Sequence, residues 1–138
     1  RLGVPVLAVA GDATRPPLRR EAFDAVLVDA PCSGLGVLRR RADARWRVRP
    51  EDVDRLVEVQ SQLIDAAVDL LRPGGLLVYS VCTLTRAESL DHPIPSGFVP
   101  DPTPPEAGTW RTYGHGWRVL PHDAGTDGMT LLRYRRTS

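Results

Sequence analysis

The sequence contains no lysine, so all 18 of its basic residues are arginine. Arginine binds phosphate well through its planar guanidinium group, but we interpret the complete absence of lysine as a coding bias of the source. The formal net charge is only +1. The overall charge therefore indicates neither a nucleic-acid binder nor a protein that seeks acidic partners.

The sequence also lacks internal repeats and any run of about 18 apolar residues that could cross a membrane or begin a secreted protein. Its two cysteines, Cys32 and Cys82, form no C-x-x-C pair, and its histidines have no zinc-finger spacing, which argues against a metal site. We therefore expect a cytoplasmic location, which is a reducing compartment. A structural disulfide between the two cysteines is the alternative, which a reducing compartment disfavours.

At 138 residues, with 42% hydrophobic and 25% charged residues, the chain allows a single domain with a real core. Residues 50–71 show the three- and four-residue apolar spacing of a helix, with Pro50 in its first turn and Pro73-Gly74-Gly75 after it. Apolar runs flank this helix at residues 23–28 and 76–80. This order predicts an α/β fold in which two parallel strands are joined by a crossover helix, and the continuous apolar run at 23–28 predicts burial on both faces.

Further elements are predicted along the chain from local patterns. They are a helix end capped by Gly3 at residues 1–3, a strand at 4–10, a short helix beginning at 85–89, a proline-rich irregular loop at about 91–108, and an antiparallel hairpin from 116–121 and 130–135. Only the hairpin would pair antiparallel to the rest of the sheet.

Each cysteine follows directly after a predicted strand. Ligands collect at the carboxyl ends of strands in open parallel sheets, so we expect both thiols to open onto one crevice together with Asp12, Asp29 and Ser33. A rim of six arginines and one tryptophan lies between positions 39 and 49, which is typical of a surface that follows phosphates and stacks bases. A solvated loop anchored by Trp46 is the alternative. The residues alone predict covalent catalysis on an anionic substrate.

Three segments then carry a resemblance. Residues 29–36 read Asp-Ala-Pro-Cys-Ser-Gly-Leu-Gly, residues 39–46 read Arg-Arg-Arg-Ala-Asp-Ala-Arg-Trp, and residues 76–85 read Leu-Leu-Val-Tyr-Ser-Val-Cys-Thr-Leu-Thr. With these motifs the sequence resembles the RNA 5-methylcytosine methyltransferases of the NOL1/NOP2/Sun family, most closely its bacterial 16S ribosomal RNA branch. The similarity runs from residue 1 to about 88 and resumes at 116–136, where Asp127-Gly128-Met129 is similar to the family's Asp-Gly-Phe.

The resemblance implies a Rossmann-like class I methyltransferase fold, S-adenosylmethionine as cofactor and an unpaired or extruded RNA cytosine as substrate. Cys82 would add to carbon 6 of the base, Asp29 would hydrogen-bond the pyrimidine, and Cys32 would assist loss of the carbon 5 proton and product release. The remaining implied contacts are Asp12, Ala13, Asp29 and Pro31 for the cofactor, and Arg39, Arg40, Arg41, Arg45 and Trp46 for RNA, for which 16S rRNA is the expected source.

The sequence departs from the family in three places. The glycine-rich cofactor loop and the following strand have no counterpart, and neither does the N-terminal RNA-binding domain. Residues 1–138 are therefore expected to be the C-terminal portion of the catalytic domain, as a fragment rather than a chain completed by a second protein. Alone it would bind S-adenosylmethionine poorly, be inactive, and expose a strand edge at 23–28 to other chains. A longer helix of the family is replaced here by Glu88-Ser89-Leu90 and prolines. The sequence therefore gives less support for polar contacts that would hold the Cys82 loop.

Two rival hypotheses remain open. One is a non-catalytic RNA-binding remnant that uses the 39–49 loop. The other is a thiol redox module in which Cys32 and Cys82 exchange a disulfide, although their placement on different strands argues against it.

Overall fold

The computed structural model describes residues 3–138, so the predicted helix end at Arg1 and Leu2 lies outside the described residues. The elements in chain order are β1 (Phe23–Asp29), α1 (Ala44–Arg47), α2 (Pro50–Leu70), β2 (Leu71–Val81), β3 (Phe98–Pro100), β4 (Arg111–Tyr113), β5 (Gly116–Val119), α3 (Pro121–Ala124) and β6 (Met129–Arg136).

Helix α2 begins where the sequence predicts and ends one residue early. Pro50 occupies its first turn, and the Asp52 carboxylate accepts a hydrogen bond of 3.0 Å from the backbone N–H of Arg49. Leu71, predicted as the last helical residue, has φ −83° and ψ 134° and is fully buried at the start of β2. The chain therefore passes directly from helix to strand, and Arg72 to Gly75 form an irregularity within β2 where the register with β1 shifts.

Strand β2 pairs parallel with β1 on one side and antiparallel with β6 on the other. The parallel pair joined by α2 confirms the predicted strand–helix–strand unit. Both neighbours and α2 cover β2, and its alternate residues are the most buried in the protein. The core they form contains Ile64, Ala67, Leu71, Leu77, Tyr79, Val81, Leu132 and Tyr134.

The predicted hairpin is confirmed, because β5 pairs antiparallel with β6 and Val119 lies opposite Met129. The sheet order is β1-β2-β6-β5-β4, and β3 also pairs with β6. Strand β3 places three residues of the proline-rich loop in the sheet, which the proline pattern did not predict. Among residues 3–138 no helix has the length and apolar character needed to span a membrane.

Three local predictions are wrong. Residues 4–10 form no strand and are exposed, because no described segment offers them a ladder partner. Strand β1 is not buried on both faces: it is an edge strand, and 67% of Leu27 is exposed. Residues 85–89 form a turn rather than a helix. The Ser89 hydroxyl donates to Thr85 O (2.6 Å), and the Asp91 N–H donates to Arg86 O (3.0 Å), so these carbonyls are bonded in a turn instead of a helical ladder.

Candidate active site

The two cysteines meet at the carboxyl ends of β1 and β2. The Ala30 N–H donates to Ser80 O (3.0 Å), which extends the parallel pairing to the residue after β1. Beyond this point the chains turn, and the two Sγ atoms lie 3.3 Å apart in hydrogen-bond contact, both as free thiols. The predicted convergence of the two strand ends is therefore confirmed.

Backbone segments that cross at two glycines, Gly36 and Gly128, support the backbone of Cys82. The Gly36 N–H donates to Cys82 O (2.9 Å), and the Gly128 N–H donates to Gly36 O (2.8 Å). A Cβ atom on Gly36 would overlap Gly128 O and lie 2.8 Å from Cys82 O. The residue after Cys82 is held as well, because Thr130 Oγ1 donates a hydrogen bond to Thr83 O (3.1 Å). The hairpin strand β6 and the glycine before it thus hold the backbone at Cys82 and Thr83 from the side opposite to β1.

Below the cysteines lies a fully buried carboxylate, that of Glu88. Its Oε1 accepts the Ser33 N–H (2.7 Å) and Gln60 Nε2 (3.2 Å). Its Oε2 accepts the hydroxyls of Ser33 (2.6 Å), Thr85 (2.8 Å) and Thr83 (2.9 Å). Among residues 3–138 no arginine or histidine forms an ion pair with Glu88, so these five neutral donors carry its stabilisation.

A chain of polar contacts connects Glu88 to the surface of α2. Gln60, which is also fully buried, donates from Nε2 to Pro31 O (2.9 Å) and accepts at Oε1 from His92 Nε2 (3.0 Å). His92 Nδ1 lies 3.3 Å from Ser61 Oγ. Burial lowers the pKa of His92, partly offset by the charges of Glu88 and Asp91, and the Gln60 amide fixes its proton on Nε2.

The protonation states of this cluster follow from its contacts. Burial alone would raise the pKa of Glu88, but hydrogen bonds from Ser33, Thr85 and Thr83 outweigh it and hold that pKa below its usual value. Burial, the hydrogen bond with Cys82 and the nearby negative charges raise the pKa of Cys32 to about 12, against a smaller opposing contribution from the Gly34 N–H. Glu88 is thus ionised at neutral pH, and Cys32 keeps its proton.

Two cavities flank the segment that carries Cys32. One of about 270 Å³ is lined by Cys32 and by charged residues of both signs, Arg41 and Arg47 with Asp43 and Asp52. The other, of about 500 Å³, is lined by Asp12, Asp29 and Pro31 together with an apolar wall from β1 and α2. Cys32 therefore lines a cavity of mixed charge, and the residues just before it line an acidic and apolar groove.

Comparison with known proteins identifies the family of the chain. The sequence model of the family described as 16S rRNA methyltransferase RsmB/F matches residues 1–94. The chain belongs to the RsmB/F family.

The resemblance to the NOL1/NOP2/Sun family is thereby confirmed. The RsmB/F chain is 36% identical over 131 residues to ribosomal RNA small subunit methyltransferase B of Vibrio vulnificus, covering 94% of this chain and 30% of that one. It is 54% identical over 116 residues to the protein of that name from Xylella fastidiosa, covering 82% and 27%. The crystal structure of NSun6 from Pyrococcus horikoshii with SFG is 30% identical, with a TM-score of 0.77, over 94% of this chain and 34% of that one.

These figures confirm the methyltransferase-type fold and show that the RsmB/F chain spans about a third or less of the length of these relatives. The matched part contains the end of β1, α2 and β2, and hence both cysteines.

The predicted RNA-binding residues of this chain occupy three places. Arg39 donates to Gly125 O and Arg40 pairs with Asp127, so both contact the turn before β6. Arg41 lines the cavity beside Cys32. Arg45 and Trp46 lie in α1 and are exposed, with 84% of Trp46 accessible. The predicted residues therefore do not form one cluster but extend from the cavity outward.

The predicted cofactor residues lie together in the second groove. Asp12 accepts hydrogen bonds from the Thr14 N–H (2.8 Å) and hydroxyl (2.7 Å), which lower its pKa, and it is exposed. Ala13, Asp29 and Pro31 line the same groove. Carboxylates next to an apolar wall suit a ligand that combines a flat apolar ring with hydroxyl or ammonium groups, so these residues fit a nucleoside cofactor.

Two of the fully buried polar residues, Glu88 and Gln60, were not predicted from the sequence to belong to the site, and Glu88 was expected only as less certain support of the Cys82 loop. The signal that could have found Glu88 is the run of hydroxyl residues before it, Thr83 and Thr85, which can donate to a carboxylate at the end of the same turn. No group of histidine, cysteine and carboxylate side chains within residues 3–138 is arranged to hold a metal ion.

Proposed function

We propose that this chain carries the substrate side of an RNA (cytosine-5) methyltransferase, with Cys82 as nucleophile. The observation that supports it best is the contact of 3.3 Å between the two sulphurs at the ends of β1 and β2. Carbon 5 of cytosine is not nucleophilic by itself. Addition of the Cys82 thiolate to carbon 6 moves the ring electrons to carbon 5, which then bonds to the incoming methyl group.

We assign Cys32 the proton transfers that end the reaction. Because burial raises the pKa of its thiol to about 12, Cys32 holds its proton until the product is released. As the bond between carbon 6 and sulphur breaks, the Cys32 S–H protonates the departing Cys82 sulphur, 3.3 Å away, and the resulting Cys32 thiolate accepts the proton of carbon 5, whose bonding electrons form the double bond between carbons 5 and 6. Cys32 would thus assist loss of the carbon 5 proton and release of the product, and its removal would trap the covalent adduct.

The cavity beside Cys32 would receive an extruded nucleotide, with Arg41 placed for a phosphate, whereas Arg47 in the same cavity pairs with Asp43. Arg45 and Trp46 continue this surface outward and would bind flanking nucleotides by charge and stacking. Asp29, at the end of β1, would hydrogen-bond the pyrimidine edge. We assign 16S rRNA as the RNA because the matching family is named for it.

S-adenosylmethionine would be held in the groove lined by Asp12, Ala13, Asp29 and Pro31, and would supply the methyl group when bound. Residues 1–138 would then form the C-terminal portion of a methyltransferase catalytic domain. Because Leu27 and Asp12 leave the groove open to solvent, we expect this chain alone to bind the cofactor weakly and to be inactive. Titration calorimetry checks this, and micromolar affinity would contradict it.

The test of the mechanism is trapping with RNA that contains 5-fluorocytosine, incubated with the complete gene product and S-adenosylmethionine. Fluorine at carbon 5 cannot leave as a proton does, so a covalent complex should accumulate and survive denaturation. Cys82→Ala should abolish it. Cys32→Ala should accumulate an adduct even with unmodified RNA, and a Cys82→Ala variant that still forms the adduct would overturn the assignment.

A non-catalytic RNA-binding remnant is the second candidate, favoured by the exposure of Trp46 and the arginines around it. It predicts RNA binding with no adduct for any variant.

We also propose that the free edge of β1 can pair with another chain. This pairing would be contradicted if sedimentation at high protein concentration gave only the molecular mass of the monomer.

A further inference from the structure

We propose that Glu88 is a positioning residue that holds the two cysteine loops in register, so that the sulphurs of Cys32 and Cys82 stay in contact. This rests on the proposed function, in which that contact is needed. We define the Cys32 loop as residues 30–36 and the Cys82 loop as residues 82–91.

The first argument is where the donors come from. Ser33 belongs to the Cys32 loop and binds Glu88 twice, through its N–H (2.7 Å) and its hydroxyl (2.6 Å). Thr83 and Thr85 belong to the Cys82 loop, as does Glu88 itself. One carboxylate therefore folds the Cys82 loop onto itself and ties it to the residue next to Cys32.

The second argument is that no other polar side-chain contact between the two loops is as extensive. Apart from the thiol pair itself, the described side-chain hydrogen bonds between these loops all converge on Glu88. The Ser33 and Thr83 hydroxyl oxygens lie 2.9 Å apart, but both give their protons to this carboxylate. The Gly36 crossing fixes the far end of the Cys32 loop by backbone bonds alone. Removing the carboxylate leaves the buried Ser33 N–H without its partner, and the loops gain freedom where the sulphurs meet.

The third argument concerns the rigidity of the carboxylate. Gln60 donates to both Pro31 O (2.9 Å) and Glu88 (3.2 Å), which attaches the contact to the middle of α2. His92 in turn orients the Gln60 amide. Tyr79 OH donates to the backbone carbonyl of Glu88 (3.0 Å) from the buried face of β2. Besides the loop donors, each end of the residue is therefore also bonded to a secondary-structure element, the carboxylate to α2 and the backbone carbonyl to β2.

The test is capture of the paired thiols by phenylarsine oxide, which loses water as its arsenic bonds to two neighbouring sulphurs. The wild-type chain should bind one equivalent, and Cys32→Ala should bind none stably. Glu88→Gln keeps the shape of the side chain but replaces an acceptor oxygen with an NH₂ group that faces donors. We expect its arsenical affinity to fall at least about tenfold, equivalent to about 1.4 kcal/mol.

The matched control is Asp101→Asn, which neutralises another buried carboxylate, bonded to Thr103 and Arg135 and to neither cysteine loop. It should lower thermal stability but leave arsenical capture unchanged. Should Glu88→Gln fail to fold, Ser33→Ala leaves the carboxylate four of its donors and should give a smaller loss of capture. Wild-type affinity in a folded Glu88 or Ser33 variant, or an equal loss in Asp101→Asn, would overturn the proposal.

A second readout separates this proposal from the proposed function. In the complete gene product, Glu88→Gln should lower the rate of 5-fluorocytosine adduct formation with little change in RNA affinity. If the wild-type protein forms no adduct, the proposed function fails while the arsenical result still decides whether Glu88 positions the thiols.

Discussion

Substituting Gly36 by alanine tests whether the crossing of three backbone segments supports the site. The added Cβ would overlap Gly128 O and lie 2.8 Å from Cys82 O, and both are backbone atoms that cannot rotate away. Forcing extra volume into a packed contact costs about 1–3 kcal/mol. The two hydrogen bonds at the crossing, from Gly36 N–H to Cys82 O and from Gly128 N–H to Gly36 O, contribute about 1 kcal/mol each.

We therefore expect Gly36→Ala to lower the free energy of unfolding by about 3–5 kcal/mol. At about 3 °C per kcal/mol for a chain of this size, the midpoint of thermal unfolding should fall by about 9–15 °C. Urea titration followed by circular dichroism measures the free energy, and scanning calorimetry measures the midpoint. Because the clash lies at Cys82 O, adduct formation should also fall in any Gly36→Ala protein that remains folded.

Gly97→Ala is the matched control. Gly97 has φ +76°, and the nearest atom to an added Cβ is Thr137 Oγ1 at 4.0 Å, so only the left-handed backbone conformation opposes alanine there. That costs about 1–2 kcal/mol and should leave adduct formation unchanged. If Gly36→Ala proves no more destabilising than Gly97→Ala, the crossing does not carry the support that we assign to it.

Three further outcomes follow from the same structure. Hydrogen bonds from Thr103 and Arg135 lower the pKa of Asp101 from 3.8 to about 2, so it contributes about 2 kcal/mol of stability above pH 4 that is lost as the pH falls toward 2. The stability difference between wild type and Asp101→Asn in urea should shrink over that range, and a constant difference would refute the pKa. Leu77→Ala should lose about 2–5 kcal/mol because Leu77 is fully buried, whereas Leu27→Ala at the exposed edge should lose about 0.5 kcal/mol or less. Trp46→Ala should weaken binding of single-stranded RNA by about 5- to 100-fold without a stability change, whereas Trp110→Ala should not, as measured by fluorescence anisotropy.

The sequence was sufficient to predict the centre of the fold because its signals are local and repeated. Two apolar runs on either side of one periodic helix specify a parallel pair, and the ends of such a pair must lie together. That geometry placed Cys32 beside Cys82, although they are 50 residues apart. The hairpin of β5 and β6 was predictable for the same reason, because alternation and a turn specify it without distant information.

The rest of the structure depends on partners that a local pattern does not reveal. Residues 4–10 have the apolar content of a strand, but a strand forms only where a neighbour accepts its hydrogen bonds. Glu88 stands before a proline-rich loop, where a charged residue is usually solvated, and only the fold brings Ser33 and Gln60 to it. At Gly36 the support of the site is a contact between backbone atoms, so no side-chain chemistry in the sequence indicates it.

The long separation of the two cysteines also sets when they meet during folding. Strands β5 and β6 pair across a short connection, whereas β1 and β2 pair across the whole of α2, with Val26 opposite Leu77. Contacts between residues far apart in sequence form slowly, because the intervening chain must be ordered first. On the ribosome, Cys32 emerges about 50 residues before its partner. The Cys32 thiol is therefore exposed to solvent until Cys82 has been synthesised and β2 has paired with β1. Contact between the two sulphurs is thus a sign that this pair of strands has formed.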